Sequence, residues 1–124
     1  IAIIAYFVLG ALWYSPVLFG KQWLKLKNVS DEDLKDGAWI MATPIIGSII
    51  LSFIFRHFLD TISPESLLES ITIGALFALA AITIGFNNAV FGSKKDLGKR
   101  FKLFLIDFSY PLVGFIMMTG IMYF

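Results

Sequence analysis

The sequence predicts an all-α integral membrane protein: a four-transmembrane-helix bundle with a short interfacial segment after the first helix. Three observations carry the prediction. The 124-residue chain is 58% hydrophobic, holds 13 Phe and has a mean hydropathy of +0.83, whereas soluble domains are roughly 45–50% apolar. A soluble fold of this size has too little interior to hide that surface, so lipid must cover part of it. Charges fall in blocks that leave four apolar stretches, with Asp107 the only charge inside any of them. The cations, finally, gather in two of the three connecting loops. The length allows one membrane domain, residues 1–124.

The first span is read at Ile1 to Ser15. Fifteen helical residues rise only about 22 Å against a hydrocarbon core of about 30 Å. The sequence opens without Met, and this span is expected to lack a few residues at its start. It is not read as a signal peptide, because Trp13, Tyr14 and Pro16 follow it in place of a small-residue cleavage site. Pro16 is expected to end the helix, since the residue before a proline avoids helical angles. Trp13 and Tyr14 then lie where amphipathic rings favour the headgroups. From Val17 to Leu26, Trp23 and other apolar residues intermix with Lys21 and Lys25. Such a segment lies on a membrane surface, rings in the boundary and lysines near anionic lipid.

The second span is read at Gly37 to Phe55, the third at Ser70 to Phe91 and the fourth at Leu103 to Phe124. Each has roughly the 17–25 residues that a spanning helix needs. A barrel is excluded, because the runs are continuous and too few. Ser30 with Asp33 resembles a capping box ahead of the second span. Pro44 is expected about two turns into that span, where it removes a hydrogen bond and bends the helix. Ser63-Pro64-Glu65 offers a capping serine, a proline at the first helical position and an acid in the first turn, so the third helix is expected to start there.

Charge sets the orientation. The loop from Pro16 to Asp36 holds Lys21, Lys25, Lys27 and Lys35, and that from Gly92 to Lys102 holds Lys94, Lys95, Lys99, Arg100 and Lys102. Between the second and third spans only Arg56 appears. Positive-inside asymmetry places both cationic loops in the cytoplasm and both termini outside, in the inner (cytoplasmic) membrane.

These residues resemble a known pattern. The stretch GALWYSPVLFGKQWLKL is similar to the N-terminal signature of an uncharacterised bacterial membrane family, domain-of-unknown-function family seventeen sixty-one, through Gly10, Leu12, Trp13, Tyr14, Ser15, Pro16, Phe19, Gly20, Lys21 and Trp23. FNNAVFG, from Phe86 to Gly92, resembles the end of the family's third helix. The resemblance covers nearly the whole chain and implies a small four-span protein without implying an activity. In the last helix Tyr110 matches the family, while Asp107 and Pro111 depart from it. If Asp107 replaces a neutral amide, a charge-dependent mechanism is not a family trait.

Asp107 is the most pointed candidate for chemistry. An acid in a membrane helix costs about 2.5–3.5 kcal/mol near the bilayer centre, less near its edge, and by default marks a proton, ion or substrate path. The alternative is a structural acid, protonated or paired. Pro111, four residues on, deprives the Asp107 carbonyl of its helical donor. Tyr110 lies on the same helix face. Asn87 and Asn88 end the third span at a similar expected depth, where two amides either hold a polar ligand or bond neighbouring helices. With Tyr14 these residues form the expected ligand-binding cluster: Asp107, Asn87, Asn88, Tyr110 and Tyr14. Ala78, Ala81, Gly85 and Ala89 trace a small-residue stripe suited to close helix packing, more readily inside the bundle than at a dimer seam.

No phosphate loop, histidine pair or nucleophile elbow is present. Zero Cys and one His, His57, exclude thiol chemistry and make a metal site within one chain improbable. No cofactor is expected. The cationic loops are accounted for by anionic lipid, so nucleic acid is not an expected partner. Three functions compete: binding or moving a small solute or ion, as a transporter assembled as a homo-oligomer; docking another membrane protein as an accessory subunit; and, least supported, modifying lipid, for which Asp107 lacks a histidine partner.

Overall fold

The structure, a computed structural model, describes residues 1–27, 42–91 and 96–124. Ser30, Asp33, the first residues of the expected second span, Gly92, Lys94 and Lys95 lie outside the described residues. Five helices follow in order: α1 (Ala2–Trp13), α2 (Gly20–Lys27), α3 (Ala42–Ile62), α4 (Leu67–Phe91) and α5 (Leu97–Tyr123). No strand occurs among the described residues. Helices α3, α4 and α5 are long and apolar enough to cross a membrane, while α1, also apolar, has 12 residues. At 1.5 Å per residue α1 rises only about 18 Å.

Helix α5 is the hub, touching each of the other four helices, and α4 lies against it along most of its length. The close approach of α4 and α5 explains the small residues. Ser70, Gly74, Ala78 and Gly85 are the buried face of α4. A Cβ at Gly74 would come within 2.5 Å of the Phe115 carbonyl, and one at Gly85 within 2.0 Å of the Phe108 ring. Two members of the expected stripe, Ala78 and Gly85, are thus consumed inside the bundle. Ser70 seals the seam by donating to the Thr119 carbonyl at 2.7 Å. The apolar core is built from Ala2, Tyr6, Phe55, Ala78, Phe115 and Met118. Phe55 sits between the edges of Phe77 and Phe115, at 5.4 and 5.0 Å between ring centroids.

Most of the remaining apolar surface points outward. Ile46, Phe53, Leu68, Leu76, Ile84 and Phe91 are all exposed, and only 17% of the apolar stretch of α3 is buried. Such a surface is unstable in water and suited to lipid.

One local expectation changes. Ser63 does not cap α4. It adopts a left-handed φ of 50° and closes α3 instead, its N–H donating to Leu59 and its hydroxyl to the Asp60 carbonyl. The cap is Ser66, whose Oγ accepts the Glu69 N–H at 3.2 Å, while the Glu69 carboxylate accepts the Glu65 N–H at 2.8 Å. This is a variant of the Ser-x-x-Glu box, and α4 starts at Leu67. Pro44 stands in the first described turn of α3, and the residues four back, on which the expected loss of a hydrogen bond and the bend depend, lie outside the described residues. The carbonyl of Pro44 accepts from Ser48 Oγ at 2.6 Å.

Candidate functional site

The stretch after α1 folds back on itself before α2 begins. The Phe19 N–H donates to the Trp13 carbonyl, and the Leu18 and Gly20 N–H groups both donate to the Ser15 carbonyl. Ser15 Oγ closes the end of α1 by donating to the Leu12 carbonyl at 2.7 Å. Gly20 permits this turn, since a Cβ there would lie 2.2 Å from the Tyr14 carbonyl oxygen. The result delivers three polar aromatic groups to one side of α5.

Trp13 Nε1 donates to the Ile106 carbonyl at 3.0 Å. Tyr14 Oη donates to Asp107 Oδ1 at 3.0 Å, and Trp23 Nε1 donates to the same oxygen at 2.7 Å. The rings of Tyr14 and Trp23 meet edge to face at 5.3 Å, and Phe19 packs on Trp13 at 5.0 Å. Asp107 is thereby the anchor of a clasp that fixes α2 to α5. Hydrogen bonds to an ionised carboxylate are shorter and stronger than neutral ones.

The turn of α5 before Pro111 is where this clasp closes. Pro111 lacks the N–H that would serve the Asp107 carbonyl. Nearby carbonyls recruit side chains: Ser109 Oγ donates to Leu105 and, at 3.3 Å, to Ile106, which also accepts from Trp13. The helix continues through the proline to Tyr123. Asp107 lies ten residues after Leu97, so the cationic run of Lys99, Arg100 and Lys102 forms the first turns of the same helix. That places the carboxylate about 15 Å along the axis from the helix start.

The expected cluster is brought together only in part. Tyr14 and Asp107 bond directly. Tyr110 joins through its ring, 5.6 Å from Tyr14, but its hydroxyl turns away to the Tyr6 carbonyl at 3.2 Å. The same hydroxyl would lie 2.8 Å from a Cβ at Gly10, which keeps that position small. Asn87 and Asn88 are exposed, and neither side chain reaches Asp107 among the described residues. The Asn88 backbone carbonyl accepts from Arg100 at 2.8 Å. Trp13 and Trp23, read from the sequence as interfacial, carry indole N–H groups that bond α5. Lys21 and Lys25 are exposed on α2, and Lys27 lies 4.5 Å over the Trp23 ring. The signal that could have found Trp23 was chemical: two buried-leaning indoles need acceptors, and the last span holds one carboxylate.

Chemically the site is an acceptor held from one side. Asp107 Oδ1 is occupied twice, whereas no donor among the described residues reaches Oδ2. His57 is exposed near the far end of α3, too remote to form an acid–base pair with Asp107. No cluster of His, Cys, Asp or Glu fit for a metal ion occurs among the described residues.

Fold and site together define a small all-helical protein with three helices fit to cross a membrane and a side-chain clasp between its first loop and last helix. Over residues 1–123 the chain matches the family described as Protein of unknown function (DUF1761), and it belongs to that family. No curated protein and no solved structure matches it.

Proposed function

We propose that the chain is a four-span protein of the cytoplasmic membrane that binds or moves a small cation or cationic solute at Asp107, on the cytoplasmic side. The observation that supports this reading is the one-sided carboxylate: two donors hold Oδ1, while no donor among the described residues reaches Oδ2. In this reading α1 counts as the fourth span despite its length. Lys21 and Lys25 face anionic headgroups, and several copies assemble, because one chain of this size offers too little interior for a path.

The substitution Asp107→Asn tests it. Asparagine keeps an acceptor oxygen for Tyr14 and Trp23 and removes only the charge. Full-length protein in lipid nanodiscs is titrated with Na⁺, K⁺, Mg²⁺, tetramethylammonium and ethanolammonium while thermal unfolding is followed. One cation class is expected to raise the melting temperature of the native protein and leave the variant unmoved. Equal responses from both proteins, or none from either, would reduce Asp107 to a structural anchor.

A second reading, an accessory subunit, rests on the outward apolar face of α3, the least enclosed of the long helices. It requires a stoichiometric membrane partner in gentle purification, lost when Phe53 on that face is replaced by a polar residue.

A further inference from the structure

At the end of the bundle opposite the clasp, the last turns of α3 and α5 enclose a groove of about 250 Å³. Arg56, Asp60 and Ser63 give its polar wall, and Leu59, Met122 and Tyr123 its apolar one. Arg56 and Asp60 pair at 2.7 Å, one helical turn apart, yet their side chains remain 60% and 57% exposed. A pair so exposed gains little from its own attraction, and both charges stay accessible to a ligand. Tyr123 fixes the floor of the groove by donating to the Glu65 carbonyl at 3.2 Å.

We propose that this groove binds the headgroup of a zwitterionic phospholipid with a primary amine, an ethanolamine phosphodiester. The phosphate meets Arg56, the ammonium meets Asp60, and the acyl chains run down the exposed apolar sides of Phe53 and Ile49, one and two turns deeper along α3. Residues four apart on a helix stand roughly 5–6 Å from each other, a separation that the two-carbon bridge of the headgroup can span. The local charge selects against a plain anion: Arg56 is the only Lys or Arg between Ala42 and Phe91, against Asp60, Glu65 and Glu69 at the same end. A choline headgroup carries the same charge, but its methyl groups leave no N–H for the carboxylate. The site is separate from Asp107 and needs only that the long helices lie in a membrane.

Native mass spectrometry of the full chain tests this, with the detergent-solubilised protein titrated with dioleoyl phosphatidylethanolamine, phosphatidylcholine or phosphatidylglycerol. Ethanolamine lipid is expected to bind about tenfold more tightly than the other two, the scale of one charge-assisted hydrogen bond. Asp60→Asn should erase that preference and Arg56→Gln should weaken the binding of all three lipids, with helicity unchanged by circular dichroism. Asp107→Asn should leave the preference intact. Equal affinity for the three lipids, a preference that survives Asp60→Asn, or binding unmoved by Arg56→Gln would overturn the assignment. So would tight binding of soluble glycerophosphoethanolamine at the affinity of the lipid, which would make the groove a site for a soluble solute.

Discussion

Trp23 donates its indole N–H to Asp107 Oδ1 across 2.7 Å, joining a helix of the first loop to the middle of the last helix. Eighty-four residues separate the two in sequence. With the Tyr14 hydroxyl on the same oxygen, this contact gives the signature around Trp13 a mechanical meaning. Tyr14 and Trp23 are donors, Phe19 supports Trp13, and Gly20 allows the turn that aims them.

Trp23→Phe keeps the ring and removes the donor. Unfolding stability is expected to fall by about 1.5 kcal/mol, the low end for a hydrogen bond to a charged group. The larger effect is local, since α2 should detach from α5 more often than the protein unfolds. Limited trypsin digestion at Lys21 and Lys25 should therefore accelerate well beyond what the change in global stability accounts for. Digestion that merely tracks global stability would show that the clasp does not hold α2.

Tyr14→Phe and Trp23→Phe share one acceptor, so their effects should not add. The first loss leaves Asp107 Oδ1 with one donor, and the second strips the carboxylate of both. The double variant is expected to lose about 1 kcal/mol more than the two single losses together. In an Asp107→Ala background the coupling should vanish.

Two glycines make opposite predictions. A Cβ at Gly74 would lie 2.5 Å from the Phe115 carbonyl oxygen, a backbone atom that moves only with α5 itself. Gly74→Ala should cost about 1–3 kcal/mol by overpacking. Gly47, in α3, faces open space, and Gly47→Ala should stabilise by roughly 0.5–1 kcal/mol through backbone entropy. Unfolding measured in one detergent for both variants checks the pair.

The helices themselves were legible because apolar composition and length decide them, but charge blocks did not mark their ends: α3 runs on through Arg56 and Asp60 to Ile62, and α5 starts at Leu97, ahead of Lys99, Arg100 and Lys102. The turn at Ser63 was less so. Ser-Pro-Glu and Ser-x-x-Glu both signal a helix start and overlap here, and only the left-handed φ of Ser63 shows which serine caps. The site was half legible. Asp107, Tyr14 and Tyr110 stood out as polar groups in apolar runs, and depth along the chain brought them together. Asn87 and Asn88 failed to join because depth leaves rotation about the helix axis undetermined. Gly85 faces α5, and the asparagines two and three residues on point elsewhere. Trp23 was hidden by its surroundings, since an indole among lysines resembles a headgroup anchor until its N–H is assigned a partner.

The topology yields a direct prediction, because the chain has no Cys and single cysteines report accessibility without a background. With the cationic loops inside, Lys21→Cys and Lys99→Cys should react with a membrane-impermeant maleimide only after the cells are opened. Ser63→Cys, in the turn between α3 and α4, should react in intact cells. The reverse pattern would invert the orientation drawn from nine cations against Arg56.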